Sequence, residues 1–171
     1  MPPMGRPAKD EAAPYYSTYI DRVTGPDISA YLARQTGEAT KFLSNISEEK
    51  SLHKYEPSKW SIREAWNHVN DAERIFAHRA LWFARGLPPL PSFDQDIAAA
   101  VAHADDISWS RHVEEFRDVR AATLSLFANM PEDAWMKTGI ASDKSFTVRS
   151  LAYIIAGHVD HHLAILRERY L

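Results

Sequence analysis

The fold of this chain is indicated most clearly by its last apolar run, LAYIIAGHVDHHLAIL, which spans residues 151–166. Large apolar residues and two histidines recur there at steps of three and four, as on one face of a helix: Leu151, Ile154, Ile155, His158, His162 and Ile165. Histidines one turn apart project from the same face, and their ring nitrogens can chelate one divalent metal ion. We therefore predict a helix that carries His158 and His162 towards the core.

The histidine pair has an ordinary explanation as well. A histidine on an apolar helix face is more often a hydrogen-bonded core residue than a metal ligand. The spacing favours metal binding, but two histidines do not complete a site. His161 also has a chelating spacing from His158. We favour His162 as the ligand because His161 rotates towards the edge of the apolar face, where we expect it to contact a ligand residue or to face solvent.

Composition limits the classes of function. The chain has 171 residues, of which 45% are hydrophobic, and this suits one globular domain. It has no cysteine, which excludes disulfides, zinc–thiolate sites and cysteine nucleophiles, so metal ligands must be His, Asp or Glu. A net charge of −3 disfavours binding to nucleic acid or to an anionic membrane. Since the sequence shows neither a membrane span nor a signal peptide, we expect a cytoplasmic protein.

The order of patterns along the chain predicts an all-α four-helix bundle. Residues 1–14, which are rich in proline, are expected to form a disordered tail, and residues 15–171 to form the single domain. The four long helices are predicted over residues 28–45, 62–85, about 110–129 and 148–170, with a short helix over 97–104 and a polar loop over 137–145. Residues 15–23 are expected to dock on the bundle, and no strand pattern is visible.

A third ligand is available on the second long helix. His68 lies on an inward-facing flank of that helix, and inward residues of facing helices meet in the core of a bundle. His68 can therefore approach His158 and His162. Three neutral imidazoles with a further position left for water make a catalytic type of metal site rather than a closed structural one.

Several of these motifs together resemble the DinB-like superfamily, which includes the YfiT-like metal-dependent hydrolases. They are Lys59-Trp60-Ser61-Ile62-Arg63-Glu64, His68 with Asp71 and Glu73, Thr147-Val148-Arg149, and Gly157-His158-Val159-Asp160-His161-His162, and the resemblance covers about residues 28–171. It implies an up-down-down-up bundle with His68, His158 and His162 as ligands of one divalent ion, either nickel, zinc or iron. It also implies hydrolysis, or transfer of a low-molecular-weight thiol, and a tendency to form dimers.

Three classes of function follow. The first is a metal-dependent enzyme that activates water, as a hydrolase, or a small thiol, as an S-transferase. The second is a metal-binding or small-ligand-binding protein without turnover. The third is a helical dimer in which the triad is only a structural staple. We expect a small-molecule substrate or thiol as the partner, and neither nucleic acid nor a membrane.

The residues that would assist the metal are less well defined by the sequence. Asp71 and Asp94 are the best candidates for a general base, although Asp71 is better explained as a solvated residue or as a hydrogen-bond partner of a ligand histidine. Arg79 and Arg120 lie on inward faces and could bind a substrate carboxylate. A structural arginine paired with a carboxylate such as Asp94 or Glu115 is an equally good explanation.

The second long helix also predicts a homodimer. Large apolar residues lie on several of its sides, more than one inward face can hide: Trp66, Phe76, Trp82 and Phe83.

Overall fold

The computed structural model describes residues 5–171, which contain four long helices, two short ones and one antiparallel pair of strands. The elements are α1 Ser17–Ile20, α2 Ile28–Leu43, α3 Ile62–Ala84, α4 Gln95–Val101, α5 Trp109–Ala128, β1 Thr138–Ala141, β2 Lys144–Thr147 and α6 Val148–Ile165. A π-helical turn, Leu166–Tyr170, continues α6. The predicted all-α four-helix bundle is therefore confirmed, with α2, α3, α5 and α6 as its long helices.

The helix ends are set by local capping groups. The Ser61 side chain accepts a hydrogen bond from the backbone nitrogen of Glu64 at 3.0 Å, and the Glu64 carboxylate accepts one from the backbone nitrogen of Ser61 at 2.7 Å. This reciprocal pair is the capping box expected at the start of α3. Asp27 and Thr147 cap α2 and α6 with side-chain oxygens. After α3, Gly86 adopts a φ of 69°, a left-handed conformation that lets the chain leave the helix.

Contacts between the helices define their directions. The Tyr170 hydroxyl, just after α6, donates to the carbonyl oxygen of Trp60, just before α3, so these two helices are antiparallel. Tyr31 of α2 bonds to Asp160 of α6, and further along both helices the Arg167 guanidinium lies over the Phe42 ring. Helices α2 and α6 are therefore parallel.

Helix α5 has the direction of α3. The Trp109 side chain at the start of α5 donates to the carbonyl oxygen of Leu43 at the end of α2, while Arg120, further along α5, reaches back to Gln35. Helix α5 therefore runs against α2, as α3 runs against α6. The four long helices follow the up-down-down-up order that the resemblance implied.

A layer of polar side chains divides the bundle core into two apolar clusters. One cluster includes Leu32, Phe76, Phe83, Leu151 and Ile155, and the other includes Leu43, Trp66, Phe116, Val159 and Leu163. At the junction between them, each long helix contributes buried polar residues: Gln35 from α2, His68 and Glu73 from α3, Arg120 from α5 and His158 from α6. Polar side chains from all four long helices therefore meet at one level of the bundle.

One part of this layer is a closed network that joins all four long helices. The Arg120 guanidinium donates to both carboxylate oxygens of Glu73, at 2.7 and 2.9 Å, and to the side-chain oxygen of Gln35 at 2.8 Å. Gln35 donates in turn to Asp160 at 2.7 Å, and Asp160 also accepts from the Tyr31 hydroxyl at 2.6 Å. This network, which we call the Arg120 network, satisfies the charges that it buries.

The N-terminal segment corrects the prediction of a disordered tail over residues 1–14. Over residues 5–14 the chain packs on the bundle, where the buried Glu11 carboxylate accepts a hydrogen bond from Thr147 and forms an ion pair with Arg149. The backbone nitrogen of Thr147 also donates to the carbonyl oxygen of Glu11 at 3.0 Å. Composition could not predict this anchoring, because it depends on one carboxylate meeting residues far along the chain. For residues 1–4, outside the described part, the tail stays a prediction.

A short β-hairpin replaces the polar loop predicted over residues 137–145. Strands β1 and β2 pair antiparallel, and the two residues between them, Ser142 and Asp143, have φ angles of 53° and 59°. Asn-Gly and Asp-Gly are the pairs that usually indicate this turn geometry, so the Ser-Asp pair did not predict it. The strands are also short, with Phe146 as their large buried residue. The hairpin covers one end of the bundle.

The homodimer prediction was based on large apolar residues on several sides of the second long helix, and the structure does not leave these residues exposed. Trp66, Phe76 and Phe83 are buried within the chain itself, and Trp82 is half-buried with its ring nitrogen donating to the carbonyl oxygen of Pro88 at 2.7 Å. These residues therefore leave no broad apolar face on α3 to explain. The homodimer stays a prediction, which sedimentation would test.

None of the helices within residues 5–171 combines the length and the apolar composition that crossing a bilayer requires.

Candidate metal centre

The structure brings His68, His158 and His162 together at the polar layer, although they come from two different helices. The Nε2 atom of His158 lies 3.1 Å from that of His68 and 3.2 Å from that of His162. His68 and His158 are buried, and His162 is half-buried. Across residues 5–171, these three make up the group of His, Asp and Glu side chains placed closely enough to hold one ion. We call them the histidine triad.

Helix geometry explains this convergence. His158 and His162 lie one turn apart on α6, so their rings project from one face. Helix α3 packs antiparallel against that face, and His68 lies near the same level of the bundle. The neighbouring His161 is not part of this group, although its ring lies 5.2 Å from the His162 ring and 5.4 Å from the Tyr19 ring, measured between centroids. The spacing alone left His161 and His162 as alternatives, and the fold places His162 in the group.

The positions of the three nitrogen atoms fit a divalent ion. Two nitrogen ligands at ~2.0–2.1 Å from a metal lie about 2.9 Å apart at a right angle and about 3.4 Å apart at a tetrahedral angle. The observed separations of 3.1 and 3.2 Å lie within that interval. Without an ion, three imidazoles that face one another through Nε2 cannot all find a donor or an acceptor. The residues present therefore suit a metal ion.

Electrostatics keep the triad in the form that a metal requires. Burial lowers the pKa of His68 from 6.5 to about 4, and it lowers the pKa values of His158 and His162 well below 6.5, with the neighbouring histidines adding to the effect. All three rings are neutral at pH 7 and offer a lone pair. Protein environments that depress histidine pKa values in this way are common at functional sites, although structural sites produce them too.

A close contact between α1 and α6 shapes one wall of the site. A methyl group added to Gly157 would lie 1.9 Å from the carbonyl oxygen of Tyr19, so only glycine allows the backbone of α1 to approach so closely. As a result, the Tyr19 ring packs edge-on against the His158 ring, with the centroids 5.2 Å apart. The glycine that begins the GHVDHH motif therefore positions the N-terminal segment next to the metal ligands.

A cavity of about 120 Å³ opens beside the triad along α3. Three tyrosines and two phenylalanines are among the residues around it: Tyr15, Tyr16, Tyr19, His68, Ala72, Ile75, Phe76, Arg79, Phe93, Gln95, Ser142 and His158. The sequence predicted that the tyrosine-rich segment docks on the bundle, but not that it lines the site. The sequence did not predict Ser142 as a lining residue, because it did not predict the hairpin whose turn carries this serine.

Neither of the predicted general bases lies at this cavity. Asp71 accepts a hydrogen bond from Asn67 and lies near Arg74, on the side of α3 that faces α5. Asp94 is exposed and caps α4, since its carboxylate accepts from the backbone nitrogens of Asp96 and Ile97, each at 3.0 Å. The acidic group whose charge acts on the triad is Asp96, which raises the pKa of His68 against the effect of burial.

The two predicted substrate-binding arginines have different environments. Arg120 is fully buried in the Arg120 network, bidentate on Glu73, and does not line the cavity. Its partner differs from the expected Asp94 or Glu115, and its role as a substrate ligand is corrected to a structural one. Arg79 is 5% exposed and does line the cavity, where it donates to the Ser142 hydroxyl at 3.2 Å.

Comparison with known proteins agrees with this architecture. A model of the DinB superfamily matches residues 31–166. Among solved structures, YfiT from Bacillus subtilis, described as a probable metal-dependent hydrolase with an unusual four-helix bundle topology, superposes with a TM-score of 0.72 at 12% identity, covering 96% of this chain and 91% of YfiT. At that identity the likeness shows the shared fold. The search of curated proteins gave no match. On the family match, which spans most of its length, the chain belongs to the DinB superfamily.

Proposed function

We propose that the protein is a metal-dependent hydrolase whose histidine triad holds one divalent first-row ion. The convergence of the Nε2 atoms of His68, His158 and His162 next to a cavity carries the proposal. The description of YfiT as a probable metal-dependent hydrolase supports it from a shared fold. Because the triad within residues 5–171 contains no fourth protein ligand, the ion would keep a position for water or substrate, as catalytic ions do.

The chemistry divides between the ion and the chain. A divalent ion held by three neutral ligands supplies Lewis acidity and lowers the pKa of a water molecule bound to it. The chain keeps the three ligands unprotonated through burial, and the tyrosine and phenylalanine rings at the cavity would reduce the access of bulk water to them. Tyr19 and Trp60, whose rings lie 5.2 Å from His158 and His68 respectively, restrain the orientation of the ligand rings.

A second candidate function, transfer of a small thiol, is favoured by a second cavity. This cavity, of about 200 Å³, reaches His162 from the end of the triad where α6 finishes and α3 begins. Lys59, Trp60 and Tyr170 are among its lining residues. Two cavities that meet at one metal site would allow two substrates to approach it, as a transfer reaction requires and hydrolysis does not.

The test is turnover by the metal-loaded protein. The metal-free protein would be reconstituted with zinc, nickel or iron and assayed against a panel of small esters and amides, with and without a low-molecular-weight thiol. We expect hydrolysis that depends on the ion and is lost in His158→Ala but kept in His161→Ala. Products carrying the thiol would favour transfer instead. A metal-loaded protein inactive on every substrate would support binding without turnover, or a structural staple.

A further inference from the structure

A buried positive charge near the histidine triad has no counter-ion among residues 5–171. Arg79 is 5% exposed, and the hydroxyl groups that interact with it, those of Ser142 and Tyr16, are both neutral. Ten salt bridges form within residues 5–171, and Arg79 takes part in none of them. Burial lowers the pKa of Arg79, but a guanidinium stays protonated in proteins. An unpaired buried charge is costly, so it is uncommon unless a ligand supplies the partner.

Arg79 and the triad lie at the same cavity. Arg79 is eleven positions after His68 on α3, which returns it to nearly the same face of the helix about three turns later. The Phe76 ring centroid is 5.7 Å from the guanidinium carbon and 6.0 Å from the centroid of the His158 ring. Together these two distances limit the separation of guanidinium and imidazole to about 12 Å, which one small molecule can span.

The lining of the cavity restricts the charge and shape of that molecule. Arg79 is its one permanent cation, and no Asp or Glu is among the residues around it. A single guanidinium can bind a carboxylate or a phosphate through two parallel hydrogen bonds. It neutralises a singly charged carboxylate fully, whereas a doubly charged phosphate would keep an uncompensated buried charge. The aromatic rings of Tyr16, Tyr19 and Phe76 form part of the walls and offer apolar contacts. A cavity of about 150 Å³ admits a benzene-sized molecule, so the 120 Å³ here suits a body no larger than one ring.

We propose that the substrate is a small monocarboxylate with an apolar body, whose carboxylate pairs with Arg79 while its reactive group faces the histidine triad. This inference rests on the proposed function, because it names the substrate class of that site. Ser142 would offer the carboxylate a further hydroxyl donor from the turn of the hairpin. The Phe76 and Phe146 rings, 5.7 and 5.9 Å from the guanidinium carbon, hold the arginine in place when the cavity has no ligand.

Binding of simple probes tests the proposal without turnover. Benzoate, phenylacetate and isobutyrate would be titrated into the protein by calorimetry, together with benzamide as the neutral analogue of benzoate and with inorganic phosphate. The matched variants are Arg79→Met and Arg74→Met, two arginines of the same helix, of which Arg74 is exposed and paired with Glu115. Circular dichroism and thermal melting would establish that both variants are folded, and metal content would be measured on every sample.

We expect at least one carboxylate to bind the wild type and Arg74→Met, with benzamide at least about 10-fold weaker than benzoate. Arg79→Met should lose about 10-fold or more in carboxylate affinity and keep its metal. Equal binding of benzoate and benzamide, unchanged binding in Arg79→Met, stronger binding of phosphate, or no carboxylate binding at millimolar concentration would overturn the proposal. Absence of metal in the wild type would overturn the proposed function instead, and the Arg79 comparison would still decide the carboxylate site.

Discussion

The Arg120 network and the histidine triad with its cavity lie at the same level of the bundle, and both draw on α3 and α6. In the network, each buried polar group is paired with another protein group, from Glu73 through Arg120 and Gln35 to Asp160. At the cavity, three imidazoles face one another, and the partners of Arg79 are the neutral hydroxyl groups of Ser142 and Tyr16. One region is complete without a ligand, and the other is not.

This difference separates structural polar residues from functional ones. Buried charge is tolerated when it is paired, and then it contributes to holding helices together. Where pairing is missing, the structure indicates which partner would complete it: a cation for three nitrogen lone pairs, and an anion for a guanidinium. The residue type alone does not show whether a buried polar residue is structural or functional, since both regions contain a buried arginine on an inward helix face.

The largest effect should come from breaking the closed network. Glu73→Gln keeps the shape of the side chain but leaves the fully buried Arg120 without its counter-charge, and we expect a loss of about 3–5 kcal/mol in the free energy of unfolding. Arg79→Met removes a charge that has no counter-ion, so its stability should stay within about 1 kcal/mol of the wild type or rise. Urea denaturation of both variants measures the contrast. Equal losses would mean that the two arginines do not differ as described.

The next effect is the pH dependence of the metal-free protein. Burial lowers the pKa of His68 from 6.5 to about 4 and those of His158 and His162 well below 6.5, so the folded protein binds fewer protons than the unfolded chain across this window. The stabilisation should be complete above pH 6.5 and fall as the pH drops. For His68 alone, a shift of this size corresponds to about 3 kcal/mol.

Denaturation between pH 7.5 and pH 4.5 would measure this loss. Glu11, whose pKa is lowered by Arg149 and other hydrogen-bond partners despite its burial, contributes a similar loss only as the pH falls below 4.5, outside the range used. The variant His68→Gln should show a smaller slope than the wild type. A stability that does not change between pH 7 and pH 5 would contradict the neutral, buried triad.

A smaller effect is expected from the wall of the open site. In Gly157→Ala the new methyl group would meet the carbonyl oxygen of Tyr19, so α1 must move, at a cost of about 1–3 kcal/mol. Gly37→Ala is the matched control, because Gly37 lies within α2 with open space around it, and alanine there should stabilise by about 0.5–1 kcal/mol. Thermal denaturation compares the two. If Gly157→Ala were as stable as Gly37→Ala, the close approach of α1 to α6 would be wrong.

The smallest effect concerns Asp94, the exposed N-cap of α4. Asp94→Ala removes the cap of α4 and should cost about 1 kcal/mol, while Asp94→Asn retains a capping oxygen and should cost less. Neither change should alter metal binding, since the exposed carboxylate takes no part in the triad. Metal content and chemical denaturation of both variants would check this. A selective loss of activity in Asp94→Asn, with stability kept, would restore Asp94 as a general base.

The features that could be predicted from the sequence are those with a local signature. Periodic apolar residues gave the four long helices, and the serine–glutamate pair before α3 gave its start. The i,i+4 histidines and His68 were recognisable because helix periodicity fixes which side chains share a face. The order of the helices came from the resemblance, and the contacts between them agree with it.

The features that could not be predicted depend on contacts between distant parts of the chain. Nothing near Arg79 or Arg120 in the sequence indicates that Glu73 forms its ion pair with Arg120 and not with Arg79. The docking of residues 5–14 depends on Glu11 meeting Thr147 and Arg149. The hairpin turn uses two residues that rarely signal one, and its Ser142 reaches the site only in the folded state.

The most direct test of the central claim is the metal content of four single variants. His68→Ala, His158→Ala, His162→Ala and His161→Ala would be stripped of metal, titrated with zinc or nickel at pH 7.5, and compared with the wild type for stoichiometry and affinity. We predict one ion per chain in the wild type and in His161→Ala, and severe weakening in each of the other three. Loss in His161→Ala with retention in His162→Ala, or full retention in all four variants, would contradict the account.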